Sequence, residues 1–150
     1  MANKFAKGEF PIKNPHKYMG KLPVIYRSSW EMTLMRVFDD HPNIVGWSSE
    51  SISIPYQNPL KPKNQQWSIY IPDFLVVFVD KDGNHRCEMI EVKPIKETPG
   101  FKEGRVSTKT KLVQAINQAK WMAAAAYCAK RGWHFRVATE RDLFGFKRKS

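Results

Sequence analysis

Three residues in the middle of the chain have the types and spacing for chemistry on phosphate. Asp73 lies in a run rich in β-branched and aromatic residues, residues 67–79, and Glu91 and Lys93 lie one residue apart in the next such run, residues 85–93. Between the runs stands Asp82-Gly83, a strong two-residue hairpin signal. Side chains alternate along a strand, so one face of the first run is Trp67, Ile69, Ile71, Asp73, Leu75, Val77 and Val79. Asp73 interrupts an apolar face, and an unpaired carboxylate there costs roughly several kcal/mol unless it meets a cation, a set of donors or water. On the return strand Met89, Glu91 and Lys93 share a face, which the hairpin brings beside Asp73. Two carboxylates supply hard oxygen ligands for magnesium, with manganese as a substitute and a backbone carbonyl as a further donor. The ammonium orients a water or stabilises transition-state charge, so the combination suits metal-assisted phosphodiester hydrolysis. Each part also has a plainer explanation. Asp73 alone is an aspartate capping a turn at a strand end, and Glu91-Val92-Lys93 alone is an ion pair on a strand face.

The elements that must position these residues follow from pattern. Ser28 or Ser29 caps a helix over residues 30–39, with Trp30, Leu34, Val37 and Phe38 on one face and His41-Pro42-Asn43 ending it. Residues 51–56 alternate Ile52 and Ile54 with polar neighbours, a short strand, and residues 57–66 are a polar loop with two prolines. Pro72 lacks a ladder donor and marks an edge or a bulge where a strand diverges and opens a cleft. Residues 94–104 read as loop. A long helix runs from Ser107 or Thr108 to Arg131 with Gly132 as its C-cap, its core face being Leu112, Ile116, Ala119, Ala123 and Tyr127. Residues 133–139 form a last strand and residues 140–143 a turn of helix. The order is α-β-β-β-α-β, an α/β single domain. Residues 1–23 read as a basic flexible arm, 24–146 as the domain, and 147–150 as a basic tail.

Charge supports a polyanionic partner. Lys plus Arg is 25 against 14 for Asp plus Glu, a net +11 with pI near 9.8. Residues 31–92 carry nine acids against five Lys/Arg, whereas residues 1–30, 93–120 and 130–150 are each +5. A net-acidic middle within basic flanks suits a metal site that also holds a phosphodiester. Cys87 and Cys128 are too few and too distant for a disulfide framework or zinc site and read as small apolar residues. No apolar run approaches the roughly 20 residues of a membrane span, and no signal-like stretch opens the chain. The expected location is a cytoplasm.

The constellation Ile71-Pro72-Asp73-Phe74, an Asp-Gly hairpin and Ile90-Glu91-Val92-Lys93 resembles the PD-(D/E)XK nuclease superfamily, with Asp73, Glu91 and Lys93 in the motif positions. That resemblance implies a restriction-endonuclease-like αβββαβ core, a mixed central sheet flanked by helices. It also implies Asp73, Glu91 and the Val92 carbonyl as metal ligands, and a glutamate from the first helix. Glu31 in Ser28-Ser29-Trp30-Glu31 matches that glutamate, acting directly or through water; its plainer role is an acid favouring the helix dipole. A nearer resemblance is to TnsA-type amino-terminal endonuclease domains, carried by Ser28-Ser29-Trp30-Glu31, Tyr70-Ile71-Pro72-Asp73-Phe74, Glu91-Val92-Lys93 and Ala138-Thr139-Glu140. The whole chain is similar to the small basic head completion nucleases of T-even-type tailed phages.

The phage resemblance implies capsid maturation after DNA packaging. DNA and capsid, portal or other head completion proteins are then the partners, a homodimer stays open, and no membrane is involved. The location becomes the host cytoplasm or the virion. The candidate DNA contacts are Lys102, Arg105 and Lys109, then Lys111 and Gln114 on the long helix, whose polar stripe (with Gln118) reads equally as a solvated face, and Lys147, Arg148 and Lys149. The arm adds Lys4, Lys7, Lys13, Lys17 and Lys21. Competing readings are a non-catalytic DNA-binding or capsid-connector protein with the same fold, a TnsA-like transposition endonuclease, and an RNA-processing nuclease.

Overall fold

A computed structural model describes residues 7–102 and 104–143. Its centre is a four-stranded sheet of β3 (Ile44–Ser49), β6 (Phe74–Val79), β7 (His85–Val92) and β8 (His134–Ala138), in that order. β3–β6 and β6–β7 are antiparallel, and β7–β8 is parallel, so the sheet is mixed as expected. The β6–β7 hairpin turns at Asp82-Gly83, where Gly83 takes the positive φ of 81° that such a turn requires. The parallel step needs a crossover, which α2 (Thr108–Arg131) supplies. α2 is capped by the Ser107 hydroxyl on the Thr110 N–H at 3.1 Å and closed by left-handed Gly132. α1 (Ser29–Asp40) begins at N-cap Ser28, whose Oγ accepts the Glu31 N–H at 3.1 Å.

Alternate residues of the sheet feed two cores. On one side Phe38 and Met35 of α1 pack with Phe10, Val24, Trp47, Phe74, Val76, Ile90 and Ala138. On the other side Ala124 and Cys128 of α2 pack with Ile54, Tyr56, Tyr70 and Met89. Along β7 the two cores alternate, Met89 toward α2 and Ile90 toward α1, so Glu91 falls on the α2 side. Both cysteines are free, Cys128 fully buried against Met89.

The sequence order α-β-β-β-α-β survives, but its first strand is a different segment. The strand beside β6 is residues 44–49, not 51–56. Residues 54–57 instead form β4 (Ile54–Gln57), which pairs with β5 (Trp67–Tyr70) as a separate two-stranded ribbon. The run 67–79 is therefore two strands broken at Ile71-Pro72-Asp73. Pro72 causes the break as its missing donor suggested, and the strand diverges there. The apolar face read through residues 67–71 is exposed: Trp67, Ile69 and Ile71 point to solvent, and Tyr70 is buried instead.

Residues 7–23 are also part of the fold rather than an arm. β1 (Gly8–Glu9) pairs with β2 (Ile25–Tyr26), Phe10 is core, and Tyr18 packs edge-on against Trp47. The Asp39 carboxylate accepts the N–H groups of Lys13 at 2.8 Å and Asn14 at 3.1 Å. Lys17 is buried, and its ammonium donates to the carbonyls of Asp39 and His41 at 2.8 and 2.9 Å, capping the carboxyl end of α1. Scattered Lys, Pro and Asn hid this packing because its anchors are single apolar residues without a period. Lys4, Lys147, Arg148 and Lys149 lie outside the described residues.

Candidate active site

Asp73 sits at the bend where the ribbon hands the chain to the central sheet. Phe74 pairs with Ile90, which sets Asp73 beside Glu91 on the next strand. The two are locked crosswise. The Asp73 N–H donates to Glu91 Oε1 at 3.1 Å, and the Val92 N–H donates to Asp73 Oδ2 at 2.8 Å. Each carboxylate thus uses one oxygen to bind the opposing backbone, leaving its second oxygen for a proton or a cation. The Asp73 carbonyl also accepts the Glu50 N–H at 3.0 Å, tying the bend to the end of β3.

Burial governs the charge of this pair. Glu91 is only 5 % exposed in spite of being ionisable. Burial, then the Glu91 carboxylate, push Asp73 well above the usual carboxylate range. Burial also raises Glu91, against the Lys93 ammonium, which favours the charged form of both. Lys93 follows β7 directly and its N–H donates to the Ala138 carbonyl at 3.0 Å, so the parallel pairing with β8 fixes its backbone. Two buried acids held above their ordinary pKa in contact with one another mark this as a candidate site.

Glu31 approaches from the other side of the sheet end, on the first turn of α1. Its carboxylate accepts the Arg27 N–H and the Ser28 hydroxyl, both at 3.3 Å, so the helix start holds it. Burial, then the Asp73 carboxylate, raise its pKa from 4.5 to about 7. Arg27 is meanwhile paired with Glu50. Glu31 therefore completes the helix start, its plainer role, and also lies within the field of Asp73.

Sequence reasoning missed a lysine. Lys120 projects from α2 on the same side as Asn117 and Ala124, two of the three buried residues of this helix, with Cys128 the third. Its ammonium lies 5.6 Å from the Tyr70 ring centroid and 5.9 Å from that of Tyr56, over the ribbon's inner face. Burial, then the Lys93 ammonium, lower its pKa, while Glu91 and Asp73 act the other way. Tyr70 is equally part of the site. Its buried hydroxyl lies in the field of Glu91 without meeting strict hydrogen-bond geometry, and burial followed by Glu91 raises its pKa. The helical face through Leu112, Ile116 and Ala123 hid Lys120, because the true centre of that face is rotated toward Asn117, Ala124 and Cys128. Leu112 is exposed accordingly.

Of the residues assigned to DNA, Lys102, Arg105, Lys111 and Gln114 line one open concavity of about 740 Å³ between the loop and the start of α2, and Lys109 is exposed nearby. Gln114 is already engaged. Its amide donates to the carbonyls of Lys96 at 2.7 Å and Phe101 at 3.4 Å, and Asn117 donates to Glu97 at 3.0 Å, so these amides hold the loop on the helix. The loop's other end is fixed by the Ile95 N–H on the Glu140 carboxylate at 2.7 Å.

The donor set decides which ion fits. Among the described residues no three His, Cys, Asp or Glu side chains converge on one point. Asp73 and Glu91 together offer two hard oxygens and little else, which suits a cation that keeps several waters and shares phosphate ligands, as magnesium does. They fit zinc less well, since its sites usually include histidine or cysteine among three or four protein ligands, and no such group converges among the described residues.

Two comparisons bear on this arrangement. Residues 41–140 match the family described as TnsA-like endonuclease N terminal, a stretch containing Asp73, Glu91, Lys93 and Lys120 but starting after Glu31. Over 151 aligned residues the chain is 34% identical to the head completion nuclease of Enterobacteria phage T4, covering 93% of this chain and 96% of that protein. No helix among the described residues is long and apolar enough to cross a membrane.

Proposed function

Because the chain belongs to the TnsA-like endonuclease family, we propose that it hydrolyses DNA phosphodiester bonds with a magnesium ion held by Asp73 and Glu91, in phage head completion after packaging. The crosswise Asp73–Glu91 lock carries this reading, since it holds two buried carboxylates side by side, a pair that a divalent cation would balance. The Val92 carbonyl and, through water, Glu31 would be its further ligands. A magnesium ion bound there would supply a water of lowered pKa and positive charge against the phosphate.

The chain's own groups do the rest. Lys93 orients the attacking water and stabilises charge on the phosphorane. Glu31, whose pKa of about 7 lets it hold or release a proton near neutrality, manages the proton of that water. Lys120 holds a non-bridging phosphate oxygen from the α2 side. Lys102, Arg105, Lys109 and Lys111 neutralise the backbone beyond the cut. The head completion role rests on the phage relative of matching length, and with it come capsid or portal proteins as partners and a place in the infected cell or the virion.

The test is incubation of the purified protein with plasmid and with branched or end-bearing DNA, in magnesium and in chelator. Nicking or linearisation that needs magnesium is expected. Cutting in chelator overturns the metal assignment. Tight DNA binding without cutting in magnesium or manganese makes the protein a non-catalytic connector.

A further inference from the structure

The β4–β5 ribbon has one face in the core and one in water. Its register sets Ile54 against Tyr70, Pro55 against Ile69, Tyr56 against Ser68 and Gln57 against Trp67. Ile54, Tyr56 and Tyr70 are buried under α2. The opposite face carries Trp67 at 68 % exposure and Ile69 at 62 %, and the row continues at period two to Ile71 at 47 %. An indole and two branched side chains left in water along one edge are an interaction surface rather than scattered apolar residues.

Two observations identify what lies on it. Residues 51–72 contain no acid and carry Lys61 and Lys63 in the connecting loop, among Asn58, Asn64, Gln65 and Gln66. The ribbon also leads, through Ile71 and Pro72, into the bend at Asp73, six residues beyond Trp67 and at most about 20 Å along the chain. We propose that the outer face of the ribbon, Trp67 with Ile69 and Ile71, is a stacking platform for unpaired DNA bases next to the cleavage site. A closed duplex hides its base faces and shows this surface only phosphate, sugar and groove edges. Unpaired bases offer π-faces to the indole and apolar edges to the isoleucines, while Lys61 and Lys63 track the backbone. The platform favours DNA in which a single-stranded segment adjoins the bond to be cut, at a branch or an end. This inference rests on the nuclease reading and adds to it a class of substrate.

Binding to a labelled single-stranded oligonucleotide and to its duplex, measured by fluorescence anisotropy of the full chain in chelator so that nothing is cut, tests it. Trp67→Ala is expected to weaken single-strand binding about tenfold or more, to leave duplex binding and the salt slope unchanged, and to be rescued by Trp67→Phe. Ile69→Thr is expected to weaken it in the same direction by less. Magnesium-dependent cutting of plasmid duplex by the wild type is followed separately, so that its absence counts against the nuclease reading alone. Single-strand affinity indifferent to Trp67, or lost equally on duplex, overturns the platform. So does a change from dimer to monomer in sedimentation with DNA binding intact, which makes the face a contact between copies.

Discussion

The amide of Asp73 binds the carboxylate of Glu91, while the carboxylate of Asp73 binds the amide next to Glu91, at 3.1 and 2.8 Å. The same two residues therefore close the strand pairing and build the acidic centre. Amide isosteres separate these tasks. Asp73→Asn and Glu91→Gln keep an oxygen for the backbone N–H but remove the charge. Each is expected to lower cleavage by about a thousandfold or more. Metal-free stability should hold or rise by a few degrees, at about 2–4 °C per kcal/mol for a chain of this size, because buried like charges have been relieved. Cleavage at the wild-type rate by either variant in a plasmid assay removes the pair from the mechanism.

Lys93 acts on the carboxylates from the end of β7 and Lys120 from α2, so their loss is expected to differ. Lys93→Ala should abolish most turnover and leave magnesium or manganese affinity, by calorimetric titration, within a few-fold of wild type. Affinity lost together with activity makes Lys93 a holder of Glu91 instead.

Lys120→Met keeps the volume and removes a cation that acts on Glu91 and Asp73. Turnover should fall by about a hundredfold, while metal affinity improves several-fold, since a repelling charge is gone. Those opposite signs are not what a packing defect gives. A melt that drops sharply with weakened metal binding assigns Lys120 to the fold.

How far the sequence could be read depends on which residues carry a period. Asp73, Glu91 and Lys93 were legible because strand alternation and one Asp-Gly turn place them together. Glu31 was legible from the Ser28–Glu31 capping pattern. β3 was not, since its six residues Ile44–Ser49 have no alternation and follow a Pro-Asn turn. Lys120, and any role for Tyr70 beyond its place in the motif, were not legible for another reason. Their partners lie on a helix and a ribbon whose docking is tertiary, and a lysine on a helix has the same local signature whether it faces water or a carboxylate pair.

Metal-free stability should fall from pH 5 to pH 8. Glu31 has a folded pKa of about 7 against 4.5 in a free chain. A raised folded pKa means the proton is held more tightly when folded. Its stabilisation is full below about 4.5 and is lost as pH rises to about 7. Asp73 and Glu91 are raised as well and add in the same direction. Glu31→Gln should shrink the drop in Tm, and magnesium at pH 8 should recover it. A metal-free Tm that climbs between pH 5 and 8 contradicts the burial of these acids.

The basic ends are best tested by deletions that spare the described packing. Deleting residues 1–20 would remove Phe10 from the core and Lys17 from the end of α1, and losing the Phe10 packing alone costs about 3–5 kcal/mol. Such a chain is expected to be largely unfolded, with its DNA affinity uninformative. Deleting residues 1–6 and 147–150 takes away Lys4, Lys147, Arg148 and Lys149 and none of the described packing. Each phosphate neutralised contributes about −0.9 to the slope of log affinity against log salt, so with half of these four on DNA the slope weakens by about two units. The melt should stay within about a degree of the full chain, and turnover at saturating DNA should be unchanged, because Glu31, Asp73, Glu91, Lys93 and Lys120 all remain. A salt slope identical to that of the full chain, with cutting intact, assigns the ends to a protein partner.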